Sequence, residues 1–320
     1  MQAIRFHEYG GPEVMRLEEV PTPTPGEGEA LVRVSASGVN PSEVTRRSGK
    51  GQPVSFPAIP GIEAAGVVEA LGAGVSGVQV GQRVVVRQPA SSYAVYLAVP
   101  ASLLYPAPEG LTLTEASTLA IAYTTAWHAL VVRGGAKAGD AVLVQAAASG
   151  VGIAAIQLAK ALGCTVLGTS SSAEKLAWAE GFGMDHGINY AETDFAEEAR
   201  RLTGGKGVDV IVDGVAGEGV AKGLNALAKG GRIAIFGGAG GREVTFAVTD
   251  LYRGHQAVLG AGGAWTSRED FQTILDWFTQ GRLKPTIDRT WPLADAVEAH
   301  RYQASRQIKG KTALIVSGEA

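Results

Sequence analysis

The stretch Val142-Leu-Val-Gln-Ala-Ala-Ala-Ser-Gly-Val-Gly152 opens as an apolar run and closes on small residues. Three apolar side chains in succession suit a strand buried on both faces, where alternation is not required. The small residues that follow permit a tight turn, and the apolar spacing from Gly152 onward is helical. Reading outward, strands are expected at 141–146, 165–169, 188–190, 208–212, 232–236 and 257–261. Helices are expected between them at 152–162, 173–181, 194–202 and 219–228. This alternation predicts an α/β fold with a doubly wound parallel sheet.

The first hundred residues follow another rule. Leu31-Val-Arg-Val-Ser-Ala36 alternates with the period of a half-buried strand, and similar runs occur at 63–69, 83–87 and 93–99. Pro21-Thr-Pro-Thr-Pro25 reads as an extended surface loop. A mostly β domain is therefore expected over 1–118 and the doubly wound domain over 119–262, entered through helical spacing at 115–132. After 262 the alternation stops. A helix at 267–280, another near 293–305 and a strand at 312–316 are assigned back to the first domain, so that 263–320 makes it discontinuous. Glycine is abundant, at 44 of 320 residues, but 46% hydrophobic and 18% charged residues describe a packed chain. The glycines belong to turns and close approaches rather than to disorder.

Six parallel strands in two halves form the arrangement that binds dinucleotides at the carboxyl ends of the strands. The first turn normally carries G-x-G-x-x-G, beside free N–H groups at a helix N-terminus that meet pyrophosphate. Here the three positions are Ala147, Ser149 and Gly152, with Gly150 and Val151 between the last two. An enzyme using NAD places an acid about 20 residues further on for the ribose 2′-hydroxyl. The second strand ends instead on Thr169-Ser-Ser-Ser172, with no carboxylate before Glu174. Ser171 and Lys175 suit a 2′-phosphate, so NADPH is the expected cofactor; a merely solvated Lys175 is the plainer alternative. The ends of the fifth and sixth strands add Phe236, Gly237, Gly238, Gly240 and Gly241, then Gly260, Ala261, Gly262 and Gly263, where bare backbone can approach a ligand; plain loop flexibility is the alternative.

Other chemistries find no residues. Twenty-eight Lys and Arg against 31 Asp and Glu leave a net charge of −3 without a basic stripe, so no nucleic acid is expected. Cys164 is alone and reads as a core residue, and the five histidines are scattered without metal-ligand spacing, so no metal is expected. Gly310-Lys-Thr312 imitates the end of a P-loop, but Ser305 stands at the first glycine position and a strand follows. No G-x-S-x-G elbow occurs. Arg5, His7 and Glu8 interrupt any N-terminal apolar region, and no apolar run has spanning length, so a cytoplasmic protein without membrane contact is expected.

Several segments together carry a family resemblance: Gly38-Val-Asn-Pro41, Arg47-Ser-Gly49, Pro60-Gly-Ile-Glu-Ala-Ala-Gly66, Val80-Gly-Gln-Arg-Val84, Ala147-Ala-Ser-Gly-Val-Gly152 and Gly310-Lys311. Over essentially its whole length the chain resembles the zeta-crystallin-like quinone oxidoreductases of the medium-chain dehydrogenase/reductase superfamily. The resemblance implies a Rossmann cofactor domain and a GroES-like catalytic domain, with NADPH in the cleft between them. It implies hydride transfer to a quinone or activated alkene, and commonly a homodimer. Zinc-dependent relatives carry Cys and His where this chain has Asn40 and Ile62, and the cysteine-rich lobe is missing, which implies a zinc-independent enzyme.

By the same resemblance, Asn40 matches an active-site Asn, and Ser149 to Gly152, Lys175 and Tyr190 match cofactor contacts. Thr45 stands where many members place Tyr, keeping a hydroxyl but losing an aromatic wall. Asn40 read alone is equally a turn residue before Pro41, and Tyr123 is a candidate either for lining the cleft or for core packing. Without zinc as Lewis acid, a quinone or enone is the expected acceptor, because its π-system delocalises charge. Asn40 or Thr45 would donate to the developing oxyanion. Three readings follow: an NADPH:quinone reductase, an NADPH-dependent alkenal or enone reductase, and a non-catalytic NADPH-binding structural or RNA-associated protein.

Overall fold

In the computed structural model, which describes residues 1–317, the alternating N-terminal segments pair as antiparallel strands. β1 (Gln2–Arg5) pairs with β2 (Arg16–Glu19), and the 31–36 run is the middle of a longer β3 (Glu29–Val39). α1 (Pro41–Arg47) follows at once, then β4 (Glu63–Leu71), β5 (Arg83–Arg87), β6 (Tyr96–Pro100), β7 (Leu104–Pro106) and the short α2 (Leu113–Ala116). β3 is buried on both faces, although its alternation predicts one wet face. Its polar residues face other backbone: Ser37 Oγ donates to the Glu63 carbonyl at 2.8 Å. Val32, Val34, Val68, Val84 and Val86 pack together as the core of this sheet.

The helix expected over 115–132 is broken. Ser117 and Thr118 hydroxyls bond back to the Thr114 and Glu115 carbonyls, which competes with helix continuation, and α3 (Ala120–Trp127) starts afresh. Strands and helices then alternate as read: β8 (Ala141–Val144), α4 (Gly150–Ala161), β9 (Thr165–Ser170), α5 (Ala173–Glu180), β10 (His186–Asn189), α6 (Phe195–Leu202) and β11 (Val208–Asp213). α7 (Glu218–Ala226), β12 (Leu227–Ile235), α8 (Val248–Gly254) and β13 (Ala257–Gly260) complete the pattern. The six strands lie in the order β10-β9-β8-β11-β12-β13, every neighbouring pair parallel. The order turns back beside β8, and such reversal points hold ligands at the carboxyl ends of the strands. Leu143, Leu167, Ile188, Ile211, Leu224 and Ile233 are buried together against this sheet.

The chain ends with α9 (Arg268–Thr279), β14 (Ile287–Pro292), α10 (Ala296–Ala304) and β15 (Lys311–Ile315). Two units result. The first comprises Met1–Ile121, Leu275–Thr279 and the chain from Pro285; the second comprises Ala122–Ile274 and Gln280–Lys284. The return expected at 263 therefore begins at 275. Local bonds hold the intervening residues to the second unit: Thr266 Oγ1 donates to the Thr124 carbonyl at 2.7 Å, and Lys284 N donates to Gln157 Oε1 at 2.8 Å. In the first unit β14 pairs parallel with β15 and β15 pairs antiparallel with β3, giving the order β14-β15-β3-β4-β5-β7 with β6 also on β3. No helix among the described residues is long and apolar enough to cross a membrane.

Candidate active site

The turn after β8 is closed by three features of its sequence. Ala146 takes a positive φ of 52°, Ala147 N donates to the Thr169 carbonyl at 3.0 Å, and Ser149 caps α4 by accepting from Gly152 N at 3.0 Å. A Cβ at Gly152 would lie 2.4 Å from the Ala146 carbonyl oxygen and 2.6 Å from that of Ala147. Only a glycine lets helix and turn approach this closely. Gly150 and Val151 open the helix, whose first N–H groups have no helical acceptor. The same economy recurs beyond β12, where a Cβ at Gly237 would lie 2.7 Å from the Gly214 carbonyl oxygen. These residues form the narrow backbone cradle that a pyrophosphate requires, and they fit a dinucleotide.

Around the cradle, Ser170 ends β9, Ser171 is exposed, and Ser172 rather than Ser171 caps α5 by accepting from Lys175 N. Tyr190 N donates to the Ser170 carbonyl, which leaves its ring half exposed beside the end of β9. Phe236 and Gly237 are half-buried and Gly238 is exposed. Gly260 and Gly262 are exposed while Ala261 is buried, its N–H donating to the Ile235 carbonyl. A cavity of about 500 Å³ lies one turn further on, lined by Val215, Ala216, Gly217, Gly240, Gly241 and Arg242. Gly240 and Gly241 belong to the glycine loop that the sequence offers to the cofactor, whereas Val215, Ala216, Gly217 and Arg242 are not among the expected contacts. Asp213, at the end of β11, accepts from Val215 N and Ala216 N and shapes that turn; burial raises its carboxyl above the usual range.

The first unit holds a second cluster. Asn40 caps α1, with Pro41 in the first turn and the Glu43 carboxylate accepting from Asn40 N. Glu43 also accepts from Ile62 N at 2.9 Å and from the Tyr93 hydroxyl at 3.3 Å. Fully enclosed, its carboxyl is pushed up to about 7 chiefly by burial, against the pull of the Asn40 and Ile62 N–H groups and of Lys311. The Tyr93 hydroxyl reaches His300 Nε2 at 3.2 Å, and burial holds His300 down at about 3. The Asn40 side chain faces Glu63 and Lys311, with Nδ2 donating to Glu63 Oε1 at 2.9 Å. Thr45, on α1, is half-buried and donates to the Pro41 carbonyl at 3.0 Å.

Tyr123 belongs to the core of the second unit. It is 2% exposed, its hydroxyl donates to the Lys284 carbonyl at 3.1 Å, and it accepts from Gln157 Nε2 at 2.9 Å. Its hydrogen is committed inside the protein, which removes Tyr123 from the set of candidate donors to substrate. The residues that the sequence did not single out are Glu43, Glu63, Tyr93 and His300, with Lys311 read only as a failed P-loop lysine and a family match. Glu63 and Lys311 lie 248 positions apart, so no local spacing could join them. Among the described residues no three His, Cys, Asp or Glu side chains are grouped to hold a metal ion.

Family models match two segments: the alcohol dehydrogenase GroES-like domain over residues 26–109 and the zinc-binding dehydrogenase domain over residues 150–280. Quinone oxidoreductase from Homo sapiens is 34% identical over 307 residues, covering 94% of this chain and 93% of its own. 2-Haloacrylate reductase from Burkholderia sp is 34% identical over 329 residues, covering 98% and 99%. The crystal structure of Escherichia coli quinone oxidoreductase complexed with NADPH superposes with a TM-score of 0.91 at 31% identity, over 98% of this chain and 100% of that one. With its doubly wound sheet, its GroES-like unit and this likeness over nearly the full length, the chain belongs to the quinone oxidoreductase family of the medium-chain dehydrogenase/reductases.

Proposed function

We propose that this protein is a zinc-independent, NADPH-dependent reductase of quinones. The observation that carries the reading is the cradle after β8 combined with the end of β9, where hydroxyls and Lys175 stand in place of an acid. In this reading the second unit holds the cofactor: Ser149, Gly150, Val151 and Gly152 the pyrophosphate, Ser171, Lys175 and Tyr190 the 2′-phosphate end, and Phe236–Gly238 and Gly260–Gly262 the remaining length. Bound NADPH supplies a hydride. The first unit supplies donors to the acceptor's oxygen, Asn40 through Nδ2 and Thr45 once its half-buried hydroxyl turns from the Pro41 carbonyl to which it donates, and these stabilise the negative charge that develops there. Where zinc-dependent members of the superfamily carry Cys and His, this chain has Asn40 and Ile62, so these hydrogen bonds do the polarising.

A second reading, reduction of an activated alkene, is supported by two observations. One relative is a 2-haloacrylate reductase, and Thr45 leaves out the aromatic ring common at that position. Steady-state NADPH oxidation with a panel of quinones and enones separates the two, and NADPH binding without turnover on any acceptor sinks both. Titrating NADPH and NADH into wild type and Lys175→Ala tests the cofactor. Wild type should prefer NADPH by at least about tenfold and the variant should lose most of that preference; equal affinities in wild type overturn it. A cytoplasmic homodimer completes the proposal. Among the described residues β13 is an edge strand paired only with β12, and the helix before it exposes Val248 and Tyr252. Light scattering that returns a monomer across micromolar concentrations removes the dimer.

A further inference from the structure

Lys311 is buried, 6% exposed, at the start of β15. An ammonium has three hydrogens and no acceptor, and here each hydrogen has a partner: the Val39 carbonyl at 3.2 Å, Glu63 Oε1 at 2.7 Å, and Asn40 Oδ1. Glu63 is wholly buried and its carboxylate can only accept. Oε1 takes Lys311 and Asn40 Nδ2, and Oε2 takes Ile121 N at 2.9 Å. A donor-only group on one side and an acceptor-only group on the other fix which end of the Asn40 carboxamide faces which. Turning that amide over would set N–H against ammonium and oxygen against carboxylate. The backbone is shaped for the arrangement, since a Cβ at Gly38 would lie 2.3 Å from Glu63 Oε1. Ser37 and Ser92 hydroxyls anchor the Glu63 carbonyl at 2.8 and 3.0 Å.

One hydrogen of Asn40 is left over. Asn40 Oδ1 is taken, one Nδ2 hydrogen is taken, and the second Nδ2 hydrogen has no acceptor among the described residues. We propose that Lys311 and Glu63 are positioning residues, which lock the Asn40 carboxamide in one orientation and leave a single N–H to donate to the substrate oxygen. This rests on the reading of Asn40 as the donor to substrate. The ion pair needs no exposure to act. Holding a donor fixed before charge develops avoids reorganisation at the moment of reaction.

The test uses the full chain, uniformly 15N-labelled, with the Asn40 side-chain amide signal identified by its loss in Asn40→Ala. In the wild type the two amide hydrogens should give separate signals, the one bonded to Glu63 slow to exchange with water. In Lys311→Met, and in Glu63→Gln/Lys311→Met, which removes both charges together in case the single variant does not fold, exchange should quicken by at least about tenfold. In steady state with a quinone, Lys311→Met should lower kcat by about tenfold with the KM for NADPH unchanged. On the Asn40→Ala background it should lower kcat no further. An Asn40 signal unchanged in the variants overturns the proposal whatever the activity. So does a Lys311→Met loss that persists in full on the Asn40→Ala background. Wild-type kcat in Asn40→Ala overturns it through the reading it rests on, a failure told apart because the amide signal would still respond to Lys311→Met.

Discussion

Asn40 and Tyr123 are polar side chains in similarly buried places, and their hydrogen bonds separate them. The Asn40 amide keeps one hydrogen without a partner, whereas the Tyr123 hydroxyl both donates and accepts inside its own unit. Tyr123→Phe should therefore leave kcat within about twofold of wild type. It should lower stability by about 1 kcal/mol, since Gln157 keeps its bond to the Lys284 carbonyl. Urea unfolding beside steady-state turnover checks both, and a tenfold fall in kcat returns Tyr123 to the site. Sequence reading went furthest where a residue's role is local. Ser149 announces itself by its place between a strand and a helix, and Asn40 by the proline that follows. The Asn40 side chain was not legible, because its partner Lys311 is 271 positions away and meets it only when β15 pairs with β3.

Elements with a strong period were readable, and short ones were not. β8, α4 and β11 lie close to their expected bounds because a strand buried on both faces is apolar throughout and its partner helix repeats every turn, whereas β12 begins at Leu227 rather than at 232. α1 and α8, at seven residues each, are too short for a period to show, and no residue of α8 is buried. The β8–α4 turn shows how an element junction depends on one missing atom. Gly152→Ala would press a methyl against two backbone carbonyl oxygens that cannot move without opening the turn. The cost should be about 2 kcal/mol in stability, with NADPH affinity reduced by more than tenfold because the cradle widens. Thermal unfolding and cofactor titration measure the two effects. Unchanged NADPH affinity in a folded Gly152→Ala protein would remove this turn from the cofactor site.

At the scale of the whole molecule, the two-unit plan was legible in the change from period 2 to alternating strands and helices, but the crossing points were not. Residues 263–274 stay with the second unit through bonds such as Thr266 to Thr124, which no periodicity encodes. The dependence of stability on pH is likewise a property of the folded whole, set by groups that folding removes from water.

Glu43 and His300 bend the pH dependence of stability in opposite senses. The Glu43 carboxyl, enclosed by Tyr93, Asn40, Ile62, Lys311 and Glu63, holds its proton up to about 7, whereas the unfolded chain loses it near 4.5. Between those values the native state binds more protons, so stability falls as pH rises and stays reduced above 7, by about 3 kcal/mol in all. Asp213, raised by burial, acts in the same sense. His300, held down at about 3 by burial and by the Arg47 charge, works the other way: the unfolded chain takes its proton near 6.5, so stability is lost as pH falls from there toward 3. The two oppose each other between 4.5 and 6.5, which sets their combined optimum on the acid side of neutrality. Glu43→Gln should be less stable than wild type at pH 5, because its amide nitrogen must face a backbone N–H of Asn40 or Ile62. The gap should narrow by about 3 kcal/mol between pH 5 and pH 8, as the wild type alone meets the cost of ionising a buried carboxyl. Denaturant titrations of both proteins across that range test it. A gap that stays constant would mean that Glu43 ionises in the folded protein as readily as it does in water.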